Sequence, residues 1–404
     1  MQRRFDDALA TMDFSLTWQH GGIRHTDALH APRVNFWRDI LPPGLCEQLA
    51  REPGRRSFTF DYPAGKALPP RTPSLVHRVK PEQVRRDRFP GITIEPRYGR
   101  FYPRGILRGV PGVFEENVQP FRCAALASDA LAADLNHPLA GIALRLRVDV
   151  RAVRPKFEEH GGSSTDWLEL AASGPGMQAR VDGRPTDFFA GNPFARADER
   201  EDGAFYARPR FVAHLDATAI GEVASLYGRL IPSGADVLDL MGSWTSHLPG
   251  GLDLNSLAVL GMNREELERN PRPGERVVHD LNRDPRLPFA ADRFDAVVCT
   301  VSVEYLTRPL DVFAETARVL KPGGILIVTF SNRWFPPKAI RLWTELHEFE
   351  RVGLVLEYFL KSGKYSAVET VSLRGLPRPA DDPYSNQYPC SDPLYAVWGR
   401  KEDG

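Results

Sequence analysis

The chain reads as two structural halves, a β-rich α+β unit followed by an open parallel α/β sheet. Three observations predict this. From about residue 225 to the C-terminus, short apolar strands alternate with amphipathic helices, the succession a parallel sheet needs. Before about residue 155 the dominant pattern is period-two alternation, with dense proline and little helical spacing. Over 156–204 the sequence is turn-rich and charged, the pattern of a connector with little core of its own.

Bulk composition bounds the function. With 404 residues, two or three domains are expected. Hydrophobic residues at 42% and charged residues at 26% describe an ordinary globular protein, and a formal net charge of zero leaves no footprint for nucleic acid or an anionic membrane as partner. The local cluster Arg85, Arg86 and Arg88 reads as a solvated face. The N-terminal stretch lacks the apolar segment of a secretory signal, and no run is long enough to span a bilayer. Cys46, Cys123, Cys299 and Cys390 form no CxxC pair. A cytoplasmic protein without a metal site or disulfide frame is expected.

In the first half, Phe14, Leu16 and Trp18 alternate with Ser15 and Thr17, and Gly21-Gly22 turns this strand into a hairpin. Residues 41–49 read as a turn opening one brief helix, with proline where no donor is lost. Phe58 and Phe60 alternate again. Leu144, Leu146, Val148 and Val150 against Arg145, Arg147 and Asp149 form the clearest strand of this half. His20, His25 and His30 sit five apart, which does not gather them as metal ligands. His137 shapes a turn before Pro138, and Phe36 and Trp37 belong to a core.

Residues Asp134-Leu135-Asn136-His137-Pro138-Leu139-Ala140-Gly141, with the strand after them, resemble the end of an FKBP-type prolyl isomerase of the SlyD-like branch. That branch carries a β-rich insert in its flap. Leu41 to Leu45 matches the family's LPPGL segment, with Cys46 in place of the glutamate that opens the helix. Pro73-Ser74-Leu75-Val76 resembles the approach to the insert. The resemblance covers most of residues 12–153. It implies an FKBP-like domain over 1–155, an insert over about 89–133, and binding of a polypeptide. The family's aromatic prolyl pocket is poorly kept. Its tyrosine falls on Ala67-Leu68-Pro69, and its Phe-Asp pair has no counterpart over 26–35. A fold retained for binding, without efficient isomerisation, is the expectation.

In the second half, placed over 205–404, Ile220, Val223, Ala224, Leu226, Tyr227 and Leu230 recur at helical spacing. Strands are expected over 237–240, 257–260, 277–278, 294–299 and 325–329. Asn263 opens a helix as its cap. Phe313, Ala314, Ala317 and Leu320 line a helix that stops at Lys321-Pro322-Gly323-Gly324. A helix over 339–349 and two antiparallel strands at the sheet edge, 367–373 and 394–398, complete the unit. The proline-rich loop between those strands is expected on the surface. The pivotal stretch is 237–249, because open parallel sheets bind ligands just beyond the carboxyl ends of their strands.

This half resembles the Rossmann-like S-adenosylmethionine-dependent methyltransferases of the type-11 kind. Three landmarks carry the resemblance: strand 237–240, then Leu287-Pro288-Phe289 with Phe294-Asp295-Ala296-Val297, then Glu315 with Arg318-Val319-Leu320-Lys321-Pro322-Gly323-Gly324. The resemblance implies S-adenosyl-L-methionine as cofactor, contacted by Asp239, Gly242, Ser243, Trp244, Asn263, Asp280, Leu281 and Ser302. In it, Asp239 orients the loop, Asp280 accepts from the adenine amine, Leu281 lies against the ring, and Asn263 replaces the acid that grips the ribose. The family's glycine-rich loop has become Met241-Gly242-Ser243-Trp244-Thr245-Ser246-His247, which removes glycines that permit close backbone approach.

Acceptor-side groups should follow the fourth and fifth strands: Ser302, Glu304 and Tyr305, then Ser331, Asn332, Arg333 and Trp334. The catalytic candidates are His247, Glu304 and Tyr305. His247 is the candidate base because imidazole titrates near neutrality, and a purely structural hydrogen bond is the competing reading. Cys299, inside a strand, reads as core. The expected function is a methyltransferase with an FKBP-like peptide-binding domain, acting on an acceptor, small molecule or polypeptide, that the sequence does not name. The alternative is an active prolyl isomerase or chaperone carrying a degenerate, non-catalytic methyltransferase domain.

Overall fold

The computed structural model describes residues 8–88, 93–156 and 161–402. β1 (Ala8–His20) and β2 (Ile23–Asn35) form a long hairpin closed by Gly21 and Gly22, both at positive φ. Phe14, Leu16 and Trp18 are buried along β1, as their alternation requires. α1 (Leu45–Arg51) follows, buried through Leu45 and Leu49, then β3 (Ser57–Tyr62). The chain then leaves this sheet to build a second one from β4 (Val76–Val79), β5 (Phe101–Pro103), β6 (Pro120–Leu126) and β7 (Leu131–Asp134), in the order β4-β7-β6-β5. The excursion therefore begins at Val76, earlier than the expected start near Phe89, which lies outside the described residues. β8 (Leu144–Pro155) returns to pair antiparallel with both β1 and β3.

The stretch expected to be a connector has more core than its composition suggests. α2 (Trp167–Ala172) buries Trp167, Leu168, Ala171 and Ala172 against β1 and β2, and Met177 and Phe188 join the core of the second half. Asp166 caps α2 by accepting from Leu168 N and Glu169 N.

Next come α3 (Asp202–Tyr206), α4 (Ala217–Leu230), β9 (Ala235–Leu240), β10 (Leu254–Gly261), α5 (Arg264–Arg269), β11 (Glu275–Val278) and β12 (Phe294–Thr300). α6 (Pro309–Val319), β13 (Leu320–Phe330), α7 (Arg341–Glu345), α8 (Glu348–Ser362), β14 (Tyr365–Arg374) and β15 (Leu394–Lys401) complete the chain. The single helix expected over 339–349 is two. It breaks at Leu346-His347, where His347 caps α8 and Glu350 reaches back to the His347 amide.

All strands except β4 to β7 lie in one eleven-stranded sheet, ordered β11-β10-β9-β12-β13-β15-β14-β2-β1-β8-β3. β9 to β13 are parallel, and β15 is antiparallel to both β13 and β14. The expected antiparallel pair is present, but it is not at an edge. β14 pairs in parallel with β2, over Glu369↔Arg24 to Arg374↔Leu29, so the sheet runs on into the first half. The seam is polar and buried. Asp27 accepts from Trp18 Nε1 at 2.8 Å and Ser372 Oγ at 2.7 Å, and His25 Nδ1 meets Thr370 Oγ1 at 2.7 Å. Burial raises the Asp27 pKa, and its hydrogen bonds to Ser372, Trp18 and Gln178 pull it back.

A second tie joins the small sheet to α8. Arg100 Nε donates to Glu350 at 2.8 Å and Phe101 N to the same oxygen at 2.9 Å, with both side chains at most 5% exposed. Among the described residues no helix is long and apolar enough to cross a membrane, and no cluster of His, Cys, Asp or Glu could hold a metal ion.

Candidate active site

A cavity of about 620 Å³ opens at the carboxyl ends of β9 to β12, with residues 333–335 beyond β13 in its wall. That volume lies within the range of about 300–1,000 Å³ typical of small-molecule sites. It sits where strand order reverses between β9 and β12, the crevice an open α/β sheet offers.

The floor is set by close backbone approach. Gly242 N donates to Leu260 O at 2.9 Å, drawing the loop after β9 against the end of β10. A Cβ on Gly242 would stand 2.6 Å from Val259 Cγ2 and 2.8 Å from Asp239 Oδ2, and one on Gly261 would stand 2.2 Å from Gly242 O. One glycine at each strand end thus permits the close approach of the β9 loop to β10. Met241 and Val301, at the ends of β9 and β12, hold φ of 58° and 42°. For a β-branched valine that is strained backbone, located in the cavity wall. Tyr227 fixes the strand ends from below, its hydroxyl bonded to Thr300 and Thr329 at 2.6 and 2.9 Å.

Asp239 is buried and accepts from Ser246 Oγ at 2.5 Å. Burial raises its pKa to about 7, against the pull of Ser246 and Arg272. Asp280 lies just past β11 and caps the turn that follows, accepting from Asn282 N at 3.0 Å and Arg283 N at 3.3 Å. Both acids line the cavity, with Gly242, Ser243, Trp244, Leu281, Ser302, His247 and Tyr305. Trp244 does not plug it. The indole is half-exposed in the wall, donating from Nε1 to Val212 O at 3.4 Å and meeting Phe211 edge-on.

Two candidates stand elsewhere. Asn263 does not line the cavity: its side-chain oxygen caps α5 and its Nδ2 donates to Tyr206 O and Ala207 O at 2.8 and 3.1 Å. Glu304 is also absent from the lining and 1% exposed, with Oε2 lacking a hydrogen-bond partner. Burial raises its pKa to about 8. Burial, together with His214, lowers the His247 pKa to about 4, so the imidazole is neutral at pH 7 and a weak base. Of the residues expected after β13, Arg333 and Trp334 line the cavity, whereas Ser331 is buried and donates to Pro393 O.

Several lining groups had no signal of their own in the sequence. Residues 202–215 form a cover over the cavity. Asp202 anchors it through Arg196 at 2.7 Å, Asn282 at 2.8 Å and the buried Lys338 at 3.0 Å. Glu266 joins cover to loop, accepting from Arg210 N and Ser243 Oγ, both at 2.6 Å. Asp382, Pro383 and Tyr384 reach the rim from the proline-rich loop. That loop is not purely superficial, since Arg378 at its base is buried and bonds Asp392 at 2.6 Å.

Sequence comparison matches the stretch that begins just after the β9 loop. Residues 251–328 fit the family model described as a methyltransferase domain. The C-terminal part carries a methyltransferase domain. This domain indicates S-adenosylmethionine as its cofactor. The chain is 37% identical over 110 residues to the demethylmenaquinone methyltransferase of Renibacterium salmoninarum, covering 26% of this chain and 45% of that protein. It is 31% identical over 67 residues to the malonyl-[acyl-carrier protein] O-methyltransferase of Marinomonas sp., covering 17% and 25%. The chain thus spans less than half the length of these curated relatives. A solved SAM-dependent methyltransferase from Thermotoga maritima aligns over 46% of this chain and 90% of its own, at 15% identity and a TM-score of 0.35. The family match lies wholly within the second half of the chain.

Proposed function

We propose that the protein is an S-adenosylmethionine-dependent methyltransferase. The observation that carries this reading is the open cavity bounded by Asp239, Gly242 and Asp280, with Trp244 set into its wall. Gly242 and Gly261 let the ends of β9 and β10 close together at the cavity floor. In this reading Asp280 accepts from an adenine amine and Leu281 lies against the ring; both line the cavity. The cofactor would supply a methyl group on a sulfonium, and the lining residues Asp239, Gly242 and Asp280 would hold it. The protein's contribution is then proximity, orientation and a dry pocket. The cover over 202–215 serves the last of these.

The relatives' names point to different acceptors, so they do not choose one for this chain. We propose further that the first half is an FKBP-like module that docks a polypeptide. What supports this is the excursion of a four-stranded sheet between β3 and β8, which overlaps the insert that the resemblance implies but starts earlier, at Val76. Isomerase activity is not favoured. Trp167 of α2 stacks on Phe14 with centroids 6.0 Å apart and donates to Asp39 at 2.8 Å, so the chain's own helix covers this sheet face. The buried thiols Cys123 and Cys299 suit a cytoplasmic location.

Calorimetry tests the proposal. The intact protein should bind S-adenosylhomocysteine, and Asp280→Ala should weaken binding about tenfold or more, the loss of one hydrogen bond to a charged group. No heat from the intact protein overturns the reading.

A further inference from the structure

Resting on the methyltransferase reading, the geometry points to the acceptor: a planar aromatic acid, received as its anion between Arg210 and Arg333. Three observations carry this. First, the acceptor half of the cavity is walled by rings. Phe335 stacks on Tyr305 at 6.0 Å and meets His214 edge-on at 5.1 Å, while Tyr206, Trp334 and Tyr384 complete the lining. Walls of this kind favour a flat, polarisable guest.

Second, the charge balance is uneven. Each carboxylate at the cavity already has a partner. Asp202 is held by Arg196 and Lys338, Glu266 by Ser243 and the Arg210 amide, Asp280 by two backbone amides, and Asp382 by Arg378. Asp239, bonded to Ser246, lies at the cofactor end after β9. The guanidinium groups are less well matched. Arg210 is held by the Phe205 carbonyl and the faces of Phe205 and Phe335, and makes no ion pair among the described residues. Arg333 is 3.8 Å from Asp392, which bonds Arg378 at 2.6 Å instead. Both line the cavity together with His214. Burial lowers the pKa of that imidazole, Glu266 raises it, and Arg210 and Arg333 lower it further.

Third, of the three histidines in the lining, His214 and His247 are both pushed down by burial, and His279 is engaged at Nε2 with the Asp284 carbonyl at 2.8 Å. An acceptor that arrives ionised needs no base. Its negative charge and the sulfonium's positive charge cancel as the methyl moves, and a dry pocket assists that change.

The test is calorimetry on the full chain saturated with S-adenosylhomocysteine, titrated with 4-hydroxybenzoate, 4-hydroxybenzamide and 4-hydroxybenzylamine. The acid should bind about tenfold or more tighter than the amide, and the amine weakest. Arg333→Gln, at an exposed position, should erase that preference while S-adenosylhomocysteine binds as before. Equal binding of acid and amide, no binding of any probe, or a preference that survives Arg333→Gln overturns the inference alone. Failure to bind S-adenosylhomocysteine removes the methyltransferase reading beneath it.

Discussion

Glu304 is a carboxyl kept from water beside the cavity, without lining it. Its pKa of about 8 means that the folded protein holds a proton that the unfolded chain releases from about pH 4.5 upward. In that window the native state binds more protons, so this group's contribution to stability falls as pH rises toward 8. Glu304→Gln removes the dependence. Thermal melts of the two proteins should converge below about pH 4.5, and the variant should melt higher at about pH 9. A constant difference across that range would contradict the assigned burial. Residues of this kind show what sequence can and cannot disclose. Asp280 and Gly242 were legible because strand-end motifs fix their position in the crevice. Asn263 was recognised as a cap and also assigned to a ribose, since one residue type suits both tasks; the structure places it at the cap. Glu266 and Arg210 gave no signal, because their meeting joins α5 to a cover more than fifty residues earlier.

At the scale of elements, the parallel strands and α4, α5 and α6 follow the sequence closely, because each has a strong local period. The break between α7 and α8 does not. Apolar spacing carries across Leu346-His347, and only the reach of Glu350 to the His347 amide marks a fresh helix start. The same Glu350 closes the buried bond to Arg100, which makes it the main tie between the small sheet and α8. Removing the acid strands a guanidinium in the interior. Glu350→Ala should cost about 3–5 kcal/mol of unfolding free energy in urea, the usual penalty for breaking one side of a buried pair. A loss within about 1 kcal/mol would mean that water reaches Arg100.

For the whole molecule, the first-half strands and the second-half strands were each legible, but their union was not. His25 and Thr370 meet across 345 positions of sequence, and nothing local announces a parallel pairing at that separation. The consequence for truncation is direct. Residues 205–404 made alone would leave β14 as a bare edge where β2 now lies, an invitation to pair with another chain. That fragment should elute from gel filtration as oligomers or aggregate, while the full chain does not. A monodisperse, cooperatively melting fragment would show that the seam is dispensable.

Because one hydrogen-bonded ladder runs from the nucleoside crevice to the N-terminal hairpin, ligand binding should be felt far from where it occurs. Amides of β1 and β2 that exchange with deuterium only through global opening should slow when S-adenosylhomocysteine is added, by the factor that its binding lends the folded state. The hairpin that begins the chain then serves as a distant witness to an event at the opposite end of the sheet.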